Sequence, residues 1–134
     1  MISIATMLIS KFYRAPDGSE PVKAFIARQS PAARSKIRQH IRRLNMLGDD
    51  LDYPFTSQVD GELRELRAWF GNRHFRIYFR RSRRFAVLLH VIEKRGWKLP
   101  MTDTKLAQAR SHDFKLRMDA ELRIPPRPLG SDAP

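Results

Sequence analysis

The sequence has no cysteine. That excludes disulfide bridges, thiol catalysis and cysteine-based zinc sites, and it fits a reducing cytoplasm as the expected location. It also lacks an apolar run near the roughly 20 residues that a membrane-spanning helix needs. The first apolar stretch, Ile2 to Ile9, is broken by Ser3 and Thr6 and has no basic segment ahead of it, so it makes a poor signal peptide. Acidic charge is scarce. Against 26 Lys and Arg stand 14 Asp and Glu, a net charge of +12 over 134 residues. Such a balance argues for a polyanionic partner, nucleic acid first, with an acidic membrane surface or an acidic protein behind it. Asp49, Asp50 and Asp52 lie close together, but without the internal Gly and terminal Glu of a calcium loop they read as a solvated loop. No metal and no cofactor is expected. No internal repeat is present.

What is there suits one domain. The hydrophobic fraction of 42% is ample for a single core. Residues 1–7 read as a leader and 8–120 as the folded domain. Residues 121–134 hold four of the nine prolines and read as a flexible tail.

The stretch from Gly61 to Arg95 organises the rest. Its three short apolar runs, about Glu62–Phe70, Arg73–Arg80 and Phe85–Ile92, are joined by Gly-Asn and by Arg-Ser-Arg-Arg, and they predict antiparallel strands. Successive side chains on a strand point to opposite faces. Leu66, Ala68 and Phe70 therefore share a core face, as do Phe75, Ile77 and Phe79. Glu65, Arg67 and Trp69, with His74, Arg76, Tyr78 and Arg80, make the other face basic and aromatic. The third run is apolar throughout, as a central strand covered on both faces is.

Ahead of these, Met7–Arg14 alternates as a first strand. A Pro-Asp-Gly-Ser turn follows, and then a short helix, about Glu20–Gln29. Ser30-Pro31 is a helix start, and Ala33, Ile37, Ile41 and Leu44 give the helix Pro31–Leu47 its core stripe, ended by Gly48. After a connector at Gly96–Pro100, Thr102 or Asp103 is placed to cap a last helix, about Asp103–Ala120, with Leu106, Ala109, Phe114 and Leu116 inward. The order is strand, helix, helix, three strands, helix. Helices gathered on one face of a mostly antiparallel four-stranded sheet make an α+β fold.

The segments FYRAPDGSEPVKAFI, LRELRAWFGNRHFRIYF and VLLHVIEKR, in that order, resemble the RelE/HigB/ParE superfamily of bacterial toxins, and most of all its phage-derived HigB-like branch. The resemblance covers roughly residues 8–118. It implies a RelE-like fold and a toxin that cuts messenger RNA on the translating ribosome without a metal. It further implies attack by the RNA's own 2′-hydroxyl on the adjacent phosphate, and a cognate antitoxin of helix-turn-helix, HigA-like type. ParE relatives share the fold but poison DNA gyrase. A gyrase inhibitor, or a catalytically silent protein that binds RNA or a partner, are the alternatives.

Cleavage by an internal 2′-hydroxyl needs a base, positive charge on the phosphorane and an acid for the leaving oxygen. Arg meets phosphate oxygens in pairs, and Lys transfers protons once neighbouring cations lower its pKa. By the resemblance, Arg67, Arg76, Lys94 and Arg95 occupy the basic catalytic positions. The bland readings are a strand residue paired with Glu65 for Arg67, an ordinary exposed position for Arg76, and a capped strand end for Lys94 and Arg95. RelE-type toxins have a Tyr early in the last helix where this chain has Lys105, and some HigB toxins use His. His74, on the basic face, is the candidate of that kind; His90 reads as a hydrogen-bonded core residue. Arg73, Arg80, Tyr78, Trp69, Lys98 and Lys105 are the candidate RNA-binding residues. Crowded with Arg81, Arg83 and Arg84 in one turn, Arg80 is either a phosphate clamp or a solvated turn residue.

Overall fold

The computed structural model describes residues 7–94 and 100–133. The largely apolar stretch Phe85–Glu93 is strand β5, and it lies inside the sheet. On one side it pairs antiparallel with β4, Arg73–Ser82, which pairs in turn with β3, Leu63–Phe70, and β3 with β2, Thr56–Asp60. On its other side it pairs parallel with β1, Ile9–Tyr13. A last strand, β6, Leu129–Asp132, runs antiparallel to β1. The sheet is thus mixed and six-stranded, in the order β2-β3-β4-β5-β1-β6. The four-stranded sheet expected from the sequence lacks its two short outer members, β2 and β6.

Helices α1, Pro21–Ala27, and α2, Pro31–Leu47, cover one face. Ser30 accepts the Ala33 N–H at 3.3 Å and starts α2, and Gly48 at φ 53° ends it. Ile37, Ile41 and Leu44 of α2 and Val22 and Ile26 of α1 pack on Leu66, Ala68, Phe75, Ile77, Phe79 and Leu88, the predicted core face.

Helix α3, Met101–Asp119, lies on the opposite face rather than beside α1 and α2. Ala107 and Phe114 pack there with Tyr13, Leu63, Tyr78, Val87 and Leu89. Its N-cap position is Pro100, without a side-chain cap, so neither Thr102 nor Asp103 caps it. Its inner stripe also differs from the expected one. Ala107, Ser111 and Phe114 are buried, while Leu106 and Leu116 are 40% and 59% exposed. The reason is the surface beneath. This half of the sheet presents Arg80 and His90 beside Tyr78, Val87 and Leu89, so α3 turns Ala107 and Ser111 inward along with Phe114.

Leu129–Asp132, within the stretch expected to be a flexible tail, form strand β6. β6 gives the edge strand β1 a partner. Gly130 makes this possible: a Cβ there stands 2.5 Å from the Phe12 carbonyl oxygen. Glu20 accepts the Ser131 N–H at 3.1 Å and also its hydroxyl, Lys11 pairs with Asp132, and Ala133 is buried. This edge lies across the sheet from β3.

Candidate functional site

The tight β3–β4 hairpin decides which cations meet. Phe70 pairs with Arg73, leaving Gly71 and Asn72 as a two-residue turn, with Gly71 at φ 58°. From that register Arg67 stands opposite Arg76, Trp69 opposite His74, and Glu65 opposite Tyr78. The β4–β5 register adds Ile92 opposite Arg76 and His90 opposite Tyr78. Lys94, just past β5, donates its N–H to the His74 carbonyl at 2.7 Å. On one sheet face this makes three rows across three strands: Trp69, His74 and Lys94; Arg67, Arg76 and Ile92; Glu65, Tyr78 and His90.

Glu65 is the hub. It is 2% exposed, yet it carries a carboxylate. Its Oε1 accepts from Arg67 Nε at 3.0 Å and from the Ser57 hydroxyl at 2.9 Å. Its Oε2 lies 3.7 Å from Arg76 Nε, an ion pair without a hydrogen bond, and both atoms are buried. Burial pushes the Arg76 guanidinium down from its ordinary pKa, opposed by Glu65 and reinforced by Arg67. Lys94 is also pushed down, first by burial and then by Arg76, with Arg67 adding to it and Glu65 opposing. Those influences put Lys94 within electrostatic reach of all three. Three cations less one carboxylate leave a formal charge of +2 on the cluster.

The structure therefore brings Arg67, Arg76 and Lys94 together, with His74 exposed at their edge. Arg76 is not the ordinary exposed position of its bland reading. It is 7% exposed, because the neighbouring carboxylate and flanking strands enclose it. Arg95 and Lys98 lie outside the described residues.

Two predicted RNA-binding residues are corrected. Tyr78 is fully buried, its hydroxyl 3.2 Å from Thr104 Oγ1, so no base stacks on it. Arg80 is 8% exposed and ties β4 to α3: Nη2 lies 2.6 Å from Glu62, and Nη1 donates to the Ser111 carbonyl at 3.3 Å and hydroxyl at 3.1 Å. In both cases α3 covers the face that the strand pattern left open.

His90 is held within the same covered half. Arg110 Nη1 donates to His90 Nδ1 at 3.1 Å and to the Leu89 carbonyl at 2.9 Å. A guanidinium only donates. Nδ1 is thus the acceptor, and Nε2–H donates to Asp103 Oδ1 at 2.7 Å. Arg73 is engaged too, with Nε and Nη2 donating to the Glu93 carboxylate at 3.1 and 2.8 Å and Nη2 to Gln29 Oε1 at 3.0 Å. Lys105 is exposed on α3.

Trp69 is 37% exposed and leans on the β3 edge, stacked on Phe55 at 5.7 Å and tilted on His40 at 4.4 Å. The Trp69 backbone N–H is donated to His40 Nε2 at 3.4 Å. Burial, with Arg43 and Lys36 nearby, holds the His40 pKa down at about 4, so the ring is neutral at pH 7.

Glu65 and Tyr53 are the neighbours that sequence reasoning left outside the site. Glu65 alternates with Arg67 on a strand face that then pairs with Arg76, and that pattern was a usable signal. Tyr53 lies in a loop and left none.

Residues 24–112 match the family described as Phage derived protein Gp49-like (DUF891). A search of the curated proteins finds no match. No helix among the described residues is long and apolar enough to cross a membrane.

Proposed function

The chain belongs to the family of phage-derived Gp49-like proteins, a RelE-like toxin type, and from that membership we propose that it is the toxin of a toxin–antitoxin pair. In this reading it is a HigB-like, metal-independent endoribonuclease that cuts messenger RNA on the ribosome in the cytoplasm. A cognate antitoxin, HigA-like with a helix-turn-helix, holds it in check. The observation that carries the reading is the meeting of Arg67, Arg76 and Lys94, from three different strand segments, around one buried carboxylate.

The chemistry assigns itself to the groups present. The 2′-oxygen forms a bond to phosphorus as the P–O5′ bond breaks, giving a cyclic phosphate and a free 5′-hydroxyl. Arg67 and Arg76 stabilise the extra charge on the phosphorane. Lys94, lowered by burial and by two guanidiniums, and His74 beside it are the two groups for proton transfer from the 2′-hydroxyl and to the 5′-oxygen. Glu65 positions both arginines and touches no substrate.

A cell-free translation reaction tests this. Purified protein should truncate messages and leave cyclic phosphate ends, and Lys94→Met should stop it. Intact messages would sink the reading. One observation favours a second reading, a ParE-like binder of gyrase without chemistry. Arg67 and Arg76 are already paired with Glu65, as structural residues are. Double-strand breaks made through gyrase, with messages intact, would decide for it.

A further inference from the structure

The loop between α2 and β2 runs beside the outer edge of β3. Arg67 N–H donates to the Phe55 carbonyl at 2.8 Å, which sets residues 53–55 against residues 67–69. The loop is ordered by its own hydrogen bonds. Asp52 Oδ1 accepts the Tyr53 N–H at 2.7 Å, the Asp52 carbonyl accepts the Phe55 N–H at 2.9 Å, and the Thr56 hydroxyl donates to the Leu51 carbonyl at 2.7 Å. From this turn Tyr53 stands 70% exposed. The Arg67 guanidinium lies over its ring, 5.0 Å from the centroid. The same guanidinium holds Glu65, which holds Arg76. Next along the edge, Phe55 and Trp69 are stacked, with the Arg43 guanidinium 4.6 Å over Phe55.

A ring 70% exposed on a hydrogen-bonded turn buries little apolar surface, and its contact with Arg67 is what ties it to the sheet. Its backing by Arg67 keeps it one side chain away from the cation cluster. Alternating aromatic rings and guanidiniums along an edge are what a single strand of nucleic acid uses, since bases stack on rings while phosphates meet cations. We propose that Tyr53 is the stacking surface for the nucleobase beside the bond that is cut in a single-stranded RNA, with the exposed edge of Trp69 next along the strand. The inference rests on the nuclease reading for its position next to the cut, and on the geometry alone for its ligand. Purines overlap a phenol ring more than pyrimidines do, so the platform favours adenine and guanine.

The probe is a short fluorescent 2′-O-methyl oligoadenylate, which lacks the attacking hydroxyl, compared with the matching oligouridylate. Binding to the full chain is read by anisotropy. Tyr53→Ala should weaken oligoadenylate binding about tenfold and erase its advantage over oligouridylate, while Tyr53→Phe stays near the unsubstituted chain. In translation reactions Tyr53→Ala should raise KM, leave kcat, and spread the cuts over more sequence contexts. No oligonucleotide binding by the unsubstituted chain overturns the platform, as does a Tyr53→Ala protein that binds and cuts with unchanged base preference. Equal loss in Tyr53→Phe and Tyr53→Ala overturns it too, by shifting the role to the hydroxyl. Tyr53-dependent binding with no message cut keeps the platform and overturns the nuclease.

Discussion

At one end of the second sheet face, Tyr78, Arg80 and His90 lie beneath α3; at the other, Arg67, His74 and Lys94 reach solvent. Both ends arise from the same alternation on the same strands. At the covered end each polar group has a fixed partner: Thr104 for Tyr78, Ser111 and Glu62 for Arg80, Asp103 and Arg110 for His90. At the open end a single carboxylate is shared by two guanidiniums, and one atom of each group in its second pair makes no hydrogen bond. Polar residues under a helix are satisfied and structural. Polar residues at an open edge keep capacity for something else.

Lys94 separates the two ends most sharply. Lys94→Met should cut the cleavage rate by about 100- to 1000-fold and leave the unfolding midpoint in place. Burial and the nearby guanidiniums disfavour the charged ammonium, so the neutral amine forms at lower pH than the ordinary 10.5. Acting as base, Lys94 makes the rate rise with pH along a limb below that value, and Lys94→Arg should abolish the limb. A limb that survives in Lys94→Arg assigns the base elsewhere.

Next in size is His40, which supports Trp69 at the open rim. Its pKa is about 4 when folded against 6.5 as the reference, so the unfolded chain binds more protons between those values. Stability from this residue is complete above pH 6.5 and falls as pH drops towards 4, by about 3 kcal/mol in all. Urea midpoints at pH 7 and pH 4 should differ more for the unsubstituted chain than for His40→Gln. Equal differences would show that His40 is free to protonate when folded.

At the covered end, Arg80→Met should lower stability by about 2 kcal/mol, seen in thermal unfolding, because the hydrogen bonds to Ser111 and the ion pair with Glu62 are lost. Its cleavage rate should hold wherever the protein is folded. A rate that falls in the folded variant would place Arg80 in the site and erase the contrast. The smallest effect belongs to Lys105, exposed on α3. Lys105→Ala should move stability by less than about 0.5 kcal/mol and lower the salt slope of RNA binding by about one.

Much of the sheet was legible because β3, β4 and β5 alternate or run apolar over eight to ten residues. β2 and β6 were not, being short and polar, TSQVD and LGSD. They exist because β3 and β1 need edge partners, a tertiary demand that no local pattern carries. The inner face of α3 was misjudged for a related reason. Hydrophobic spacing misplaces the buried side of a helix where the surface below is partly polar, and here Arg80 and His90 call for Ser111, Asp103 and Arg110 beside Phe114. At the site, strand parity sufficed to put Arg67 beside Arg76. It was blind to the depth of Arg76, which depends on Glu65 and on the strands around it.

Glu65 has one more effect. An anion arriving at Arg67 and Arg76 finds an anion already seated, so small phosphates and chloride compete against an intramolecular rival at high effective concentration. Only a ligand anchored elsewhere as well can dislodge it. On the nuclease reading, the carboxylate is a tethered decoy that favours long polyanions over bulk ions at these two guanidiniums.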